Sequence, residues 1–200
     1  MKRWIKFWVL TAFILASLSI DSAARAGEPT EQLSATINKF VTILTDTPVA
    51  ELREKGLPES ARKLVFARFD FSEMAKRSLG SHWAALQQGE QKEFVAAFTE
   101  RVLFFYGRSV RSSSNSKIQF NRETRDGKQA SVATKVVSGS GEELPIDYQM
   151  HDVNGQWKVY DVVIDNVSVV NNYRAQFNRV IAKSSVKDLL QKLKDWQQDS

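Results

Sequence analysis

The chain has 200 residues, no cysteine, two histidines and a formal net charge of +5. Without a thiol it has no disulfide framework, no cysteine nucleophile and none of the common cysteine-based zinc patterns. Much of the positive charge sits at the amino end. Residues 1–26 hold four of the 28 basic and one of the 23 acidic residues, so the remainder is net +2, too near balance for a nucleic-acid binder.

Lys2, Arg3 and Lys6 precede an apolar run over 7–20, and Ala24 and Ala26 flank Arg25 in the small-residue pattern a signal peptidase reads. Residues 1–26 are therefore expected to be a signal peptide cleaved after Ala26. The apolar run of 14 residues is shorter than the roughly 20 that span a bilayer. No cysteine follows it to be lipidated. Residues 27–200 are thus expected to be one exported domain in a bacterial periplasm, long enough to bury its own core.

From there the pattern is helical. Thr30 is placed to cap a helix whose stripe is Leu33, Ile37, Phe40, Val41 and Leu44. Pro48 and Gly56-Leu57-Pro58 punctuate the next stretch, and a short helix around 59–67 carries Ala61, Leu64 and Val65. Asp70, with Glu73 three residues on, resembles a capping box ahead of Phe71, Met74, Ala75 and Leu79, and Gly80 is a natural stop. A longer helix from about Glu90 to Val110 sets Phe94, Phe98, Val102 and Phe105 at helical spacing. The polar run 111–117 breaks it.

The period then switches to two. Segments near 117–124, 129–138, 142–151 and 156–165 read as strands, joined by Asp126-Gly127 and Asn154-Gly155 turns and by the Ser/Gly/Glu-rich stretch 138–143. In the third strand Leu144, Ile146, Tyr148 and Met150 share a face. In the fourth, alternation puts Trp157, Val159, Asp161 and Val163 on one face and Lys158, Tyr160, Val162 and Ile164 on the other. Ser168 can then cap a helix beginning near Val169, with Val170, Tyr173, Phe177 and Val180 along one side. A last helix over about 185–197 carries Val186, Leu189, Leu190, Leu193 and Trp196. Helices, then a four-stranded antiparallel meander, then helices make an α+β domain.

The chemistry of a catalyst is not legible in the chain. His82 and His151 have no partner at metal-ligand spacing, and no zinc-protease, phosphate-loop, nucleophile-elbow or dinucleotide motif occurs. Asp161 and Asp165, four apart on a strand, would stand roughly 13 Å from each other, wide for acid–base partners. They read as a turn-side and a helix-start aspartate. Asn166-Val167-Ser168 matches a glycosylation sequon, a short pattern common by chance. No enzyme, metal or cofactor is expected. What does stand out is a wealth of aromatic residues, three of them consecutive at 104–106. Consecutive helical residues point about 100° apart and cannot all face one seam. A packed core and an apolar cavity both remain open on that pattern.

Four stretches carry a resemblance. They are "FDFSEMAKRSLGSHW" (69–83), "EQKEFVAAFTERV" (90–102), "GQWKVYDVVIDNVSVVNNYRAQF" (155–177) and "VKDLLQKLKDW" (186–196). In this order they resemble the MlaC family, the toluene-tolerance auxiliary components of ABC transporters, over most of residues 27–200. Asn166 stands where the family often has glycine, a substitution the left-handed conformation tolerates. The resemblance implies a monomeric periplasmic carrier whose twisted sheet and surrounding helices enclose an apolar cavity for phospholipid tails. Its cargo would pass between an inner-membrane ABC transporter with an MCE-domain protein and an outer-membrane lipoprotein–porin complex, maintaining outer-membrane lipid asymmetry. Phospholipid would be cargo, with no cofactor.

On that basis Val170, Tyr173 and Phe177 are expected to line or brace the cavity. Leu144, Ile146, Tyr148 and Met150 would join them from the sheet, and Phe71, Met74, Phe98 and Phe105 from the helices. Arg174 would meet a phosphate head group. Drawing a two-chain lipid with about 30 methylenes into water costs on the order of 24 kcal/mol, at ~0.8 per methylene. Replacing that burial takes on the order of 1,000 Å² of apolar contact, more than an exposed patch offers without inviting aggregation. A hopanoid-type cargo, a non-carrying adaptor of the transporter and a lipid or envelope hydrolase are the rival readings.

Overall fold

The computed structural model describes residues 29–111 and 116–198. The expected leader with its cleavage point at Ala26, and the centre of the polar break at 112–115, lie outside the described residues, as do the side chains of Tyr106 and Trp196. Five helices come first: α1 (Pro29–Asp46), α2 (Val49–Lys55), α3 (Glu59–Arg68), α4 (Phe71–Leu79), a 3-10 turn over Gly80–Ala85, and α5 (Gln88–Arg111). Then come β1 (Lys117–Asp126), β2 (Gln129–Val137), β3 (Glu143–Val153), β4 (Gln156–Ile164) and the two-residue β5 (Val167–Ser168), followed by α6 (Val169–Ile181) and α7 (Val186–Gln198). The sheet runs in the order β1-β2-β3-β4-β5, antiparallel throughout. The expected four-strand meander is therefore a five-strand one. Its extra strand exists because Asp165 and Asn166 both take positive φ, 47° and 63°, and turn the chain back on β4.

Local chemistry sets the helix ends. Asp70 accepts the Glu73 N–H at 2.9 Å, and Gly80 (φ 60°) stops α4. Ser168 accepts the Asn171 N–H at 3.0 Å at the start of α6. Thr30 is not a cap. It lies within α1 and donates its N–H to Glu123 Oε2 at 2.9 Å, so a carboxylate from β1 satisfies a first-turn donor that the side chain was expected to serve.

Two apolar clusters form. The helical cluster packs Phe71, Met74, Phe94, Phe98, Val170, Tyr173, Phe177, Leu189 and Leu193 between α4, α5, α6 and α7. Rings of α5 meet those of α6 edge-on, with Phe98 5.2 Å from Tyr173 and Phe94 5.6 Å from Phe177. The sheet cluster packs Leu33 of α1 on Ala130, Val132, Met150, Trp157 and Val159.

Strict alternation along β4 does not hold. The register against β3 pairs Gln149 with Asp161 but Met150 with Val159, so Tyr160 is a bulged residue. Beyond it the faces exchange. Trp157 and Val159 share the inner face with Val162 and Ile164, while Asp161 and Val163 go to the other side. That displaced carboxylate becomes the anchor of α6. Asp161 is buried, its Oδ1 accepting from Val162 N at 2.8 Å and Val170 N at 3.0 Å and its Oδ2 from Ser168 Oγ at 2.6 Å. Asp161→Ala strands these donors and is expected to destabilise by about 1–3 kcal/mol. At roughly 2–4 °C per kcal/mol for a domain of this size, a thermal circular-dichroism melt reads the loss, and Asp161→Asn, which keeps an acceptor, should lose less.

Candidate functional site

Cross-strand partners project to the same side of a sheet, so the registers divide the inner face into rows. Nearest the β1–β2 and β3–β4 turns, Ala130, Met150 and Val159 stand abreast, and next to them Val132, Tyr148 and Val162. Then come Phe120, Thr134, Ile146 and Ile164, and last Ile118, Val136 and Leu144. Leu33 closes over the first rows, where Ala130, Val132, Met150 and Val159 are buried. Cover then thins along the sheet. Phe120, Ile146 and Ile164 are half-buried around a buried Thr134, Ile118 and Val136 are likewise half-buried, and Leu144 is 41% exposed. One end of the sheet's apolar face is thus packed and the other is open.

The last turns of α5 also leave aromatic side chains exposed. The buried stripe of α5 runs through Phe94, Ala97, Phe98 and Val102, after which Phe104 and Phe105 are exposed, Phe105 to 55%. Val167 in β5 is exposed, and its partner Ile164 packs against the helical cluster. An open apolar sheet end with an exposed aliphatic side chain beside it is a surface for long apolar chains.

The structure sorts the expected site residues into three settings. Met74, Phe98, Val170, Tyr173 and Phe177 are in the close-packed helical cluster, and Met150 is in the sheet cluster. Leu144, Ile146 and Tyr148 lie along the graded face, and Phe105 is on the exposed end of α5. Phe71 belongs to the helical cluster and also lines a separate groove of about 580 Å³ between α3, α4, α5 and the β3–β4 turn. Arg174 does not point at open space. Its Nε donates to the Arg77 carbonyl at 2.8 Å and its side chain lies against Gly80, so it ties α6 to the end of α4. His151 bonds the second oxygen of Asp70 at 3.0 Å.

Ile118, Phe120, Val136 and Ile164, which extend the open end, were not singled out by the strand pattern. The Asn154-Gly155 turn would have aligned β3 with β4, but a register counted from it without the bulge sets Asp161 opposite Tyr148. Among the described residues no three His, Asp or Glu side chains are placed to hold a metal, and no helix is long and apolar enough to cross a membrane.

A family model described as MlaC protein matches residues 34–195. The toluene tolerance protein Ttg2D of Pseudomonas putida is 29% identical over 89 residues, which is 44% of this chain and 41% of that protein. The intermembrane phospholipid transport system binding protein MlaC of Haemophilus influenzae is 21% identical over 204 residues, 96% of this chain and 92% of that one. Among solved structures, a phospholipid-binding protein from Ralstonia solanacearum in complex with a phospholipid superposes with a TM-score of 0.73 at 20% identity. It covers 84% of this chain and 96% of its own and shows the same fold.

Tyr148, at the boundary between packed and open rows, provides a solution signature. Burial pushes its hydroxyl up to about 12 from the usual 10. Between those values the unfolded chain releases the proton while the folded one keeps it, so stability is full below pH 10 and falls as the pH rises toward 12. Urea titrations at pH 9 and 11 should show that alkaline loss, and Tyr148→Phe should make it smaller.

Proposed function

Because the chain belongs to the MlaC family over residues 34–195, we propose that it is a periplasmic phospholipid carrier holding acyl tails against the open end of its sheet. The observation that carries the reading is the graded inner face. Its rows lose cover from Met150 toward Leu144 although every row presents apolar side chains. Leaving such a surface uncovered is unfavourable by roughly 25 cal/mol per Å², and acyl chains would remove that penalty while leaving water themselves. The likeness to a phospholipid-binding protein on the same fold supports a lipid cargo.

Passage of cargo between an inner-membrane ABC/MCE transporter and an outer-membrane lipoprotein–porin complex is the corresponding physiological role. It requires a signal peptide at residues 1–26 and export. A carrier needs only reversible burial, so its residues work by shape and apolar contact. Phe105, Leu144, Ile146 and Tyr148 are assigned to tail contact. Met74, Met150, Val170, Tyr173 and Phe177 brace the walls from behind, with Phe98 beside them.

Native mass spectrometry of protein purified from a periplasm without detergent should show one diacyl phospholipid per chain. Leu144→Asp sets a charge on an already exposed position, so the melting temperature should hold while lipid occupancy drops several-fold. A stoichiometric hopanoid would change the cargo class. An empty protein that also takes no lipid from vesicles would favour the adaptor.

A further inference from the structure

The groove between α3, α4 and α5 is distinct from the open sheet end. Its apolar lining is Phe66, Phe69, Phe71, Val95, Ala96 and Val153. None of these stands in the inner rows of the sheet, and Val153, at the β3–β4 turn, alternates away from them. Phe66 is 45% exposed and Val153 38%, so water reaches both flanks. The floor is a group of adjoining rings, with Phe71 tilted against Phe66 at 5.3 Å and stacked on Phe69 at 5.8 Å.

The charged groups on the rim are not equivalent. Glu100 is engaged by Arg62 at 2.6 Å, and Asp70 by His151 and by the first turn of α4. Lys158 donates to the Ala67 carbonyl. Lys92 makes no hydrogen bond or ion pair with any described residue. One uncommitted ammonium therefore stands at the mouth of an aromatic trough whose acids are already satisfied.

We infer that this groove is a second binding site, for a single-chain anionic amphiphile whose alkyl chain lies on Phe66, Phe69 and Phe71 and whose head group pairs with Lys92. Size agrees. If a methylene fills about as much space as a water molecule, roughly 30 Å³, then the groove's 580 Å³ has room for one long acyl chain. A free fatty acid and a lysophospholipid both present this chemistry.

The test leaves the diacyl cargo in place. Palmitate, and separately 1-palmitoyl-lysophosphatidylglycerol, would be titrated below their micelle concentrations and followed by calorimetry and native mass spectrometry. A ternary species of protein, diacyl lipid and single-chain probe is expected. Ala96→Trp, at an exposed α5 position that faces the groove, should weaken the probe by about tenfold or more without changing diacyl occupancy. Lys92→Glu should weaken it as well, and Lys92→Arg should not. Binding of both probes marks a site that reads chain and charge, and binding of palmitate alone narrows the ligand to the free acid.

The inference is overturned if neither probe binds, if Ala96→Trp leaves the affinity unchanged, or if the probe expels the diacyl lipid one for one. Probe binding that Ala96→Trp abolishes, in a protein that never holds a diacyl lipid, would keep the groove and remove the carrier reading.

Discussion

Two separately packed clusters have to be held against each other, and the strip Phe69-Asp70 does it at one end of the sheet. Phe69 packs against both clusters and forms a parallel bridge with Val159. Asp70 donates its N–H to the Val159 carbonyl at 2.8 Å, caps α4 with one carboxylate oxygen and meets His151 with the other. Backbone, helix and sheet are thus joined within two residues. Arg77 extends the join, its guanidinium 4.1 Å from the centre of the Tyr160 ring and its Nε on Glu73 at 2.8 Å. Tyr160, His151 and Asp70 are partly buried, so this polar seam is dry enough to be specific and satisfied enough to be stable.

A second join sits two residues further along β4, where Asp161 holds the start of α6. Clamping along β4 leaves the opposite margin, the ends of β1, β2 and β3 that carry Ile118, Val136 and Leu144, without a helix packed fully upon it. An apolar margin that is open by construction can be filled by a ligand without breaking either cluster. Close-packed interiors resist continuous deformation, so cargo is more readily admitted at such a margin than into a core of interlocked rings.

The same division explains why aromatic richness pointed in two directions. The Phe94, Phe98, Tyr173 and Phe177 rings sit within about 6.4 Å of their neighbours and fill space against one another. The Phe66, Phe69 and Phe71 rings pack as closely to one another but leave one side open as the floor of a groove. Helical spacing is the same for both sets. Whether a ring is core or lining depends on what the next element brings to its other side.

From the sequence alone came the α+β class, the helix bounded by Asp70 and Gly80, the Ser168 cap, the four hairpin-linked strands and the family resemblance. Each rests on contacts within a few residues or on a pattern of fixed period. The bulge at Tyr160 lies beyond that reach, because one extra residue in β4 is decided by pairing with β3, Phe69 and α6 together. It exchanges the faces of Asp161 and Val162, turning an apparent inner-face aspartate into a helix anchor. The roles of Thr30, Arg174 and Lys158 are of the same kind, since their partners Glu123, Arg77 and Ala67 are far away in the chain. Periodicity identifies which residues are apolar and which way each local segment faces. Only the packed chain decides which of those faces is left uncovered, because cover is supplied by elements distant in sequence.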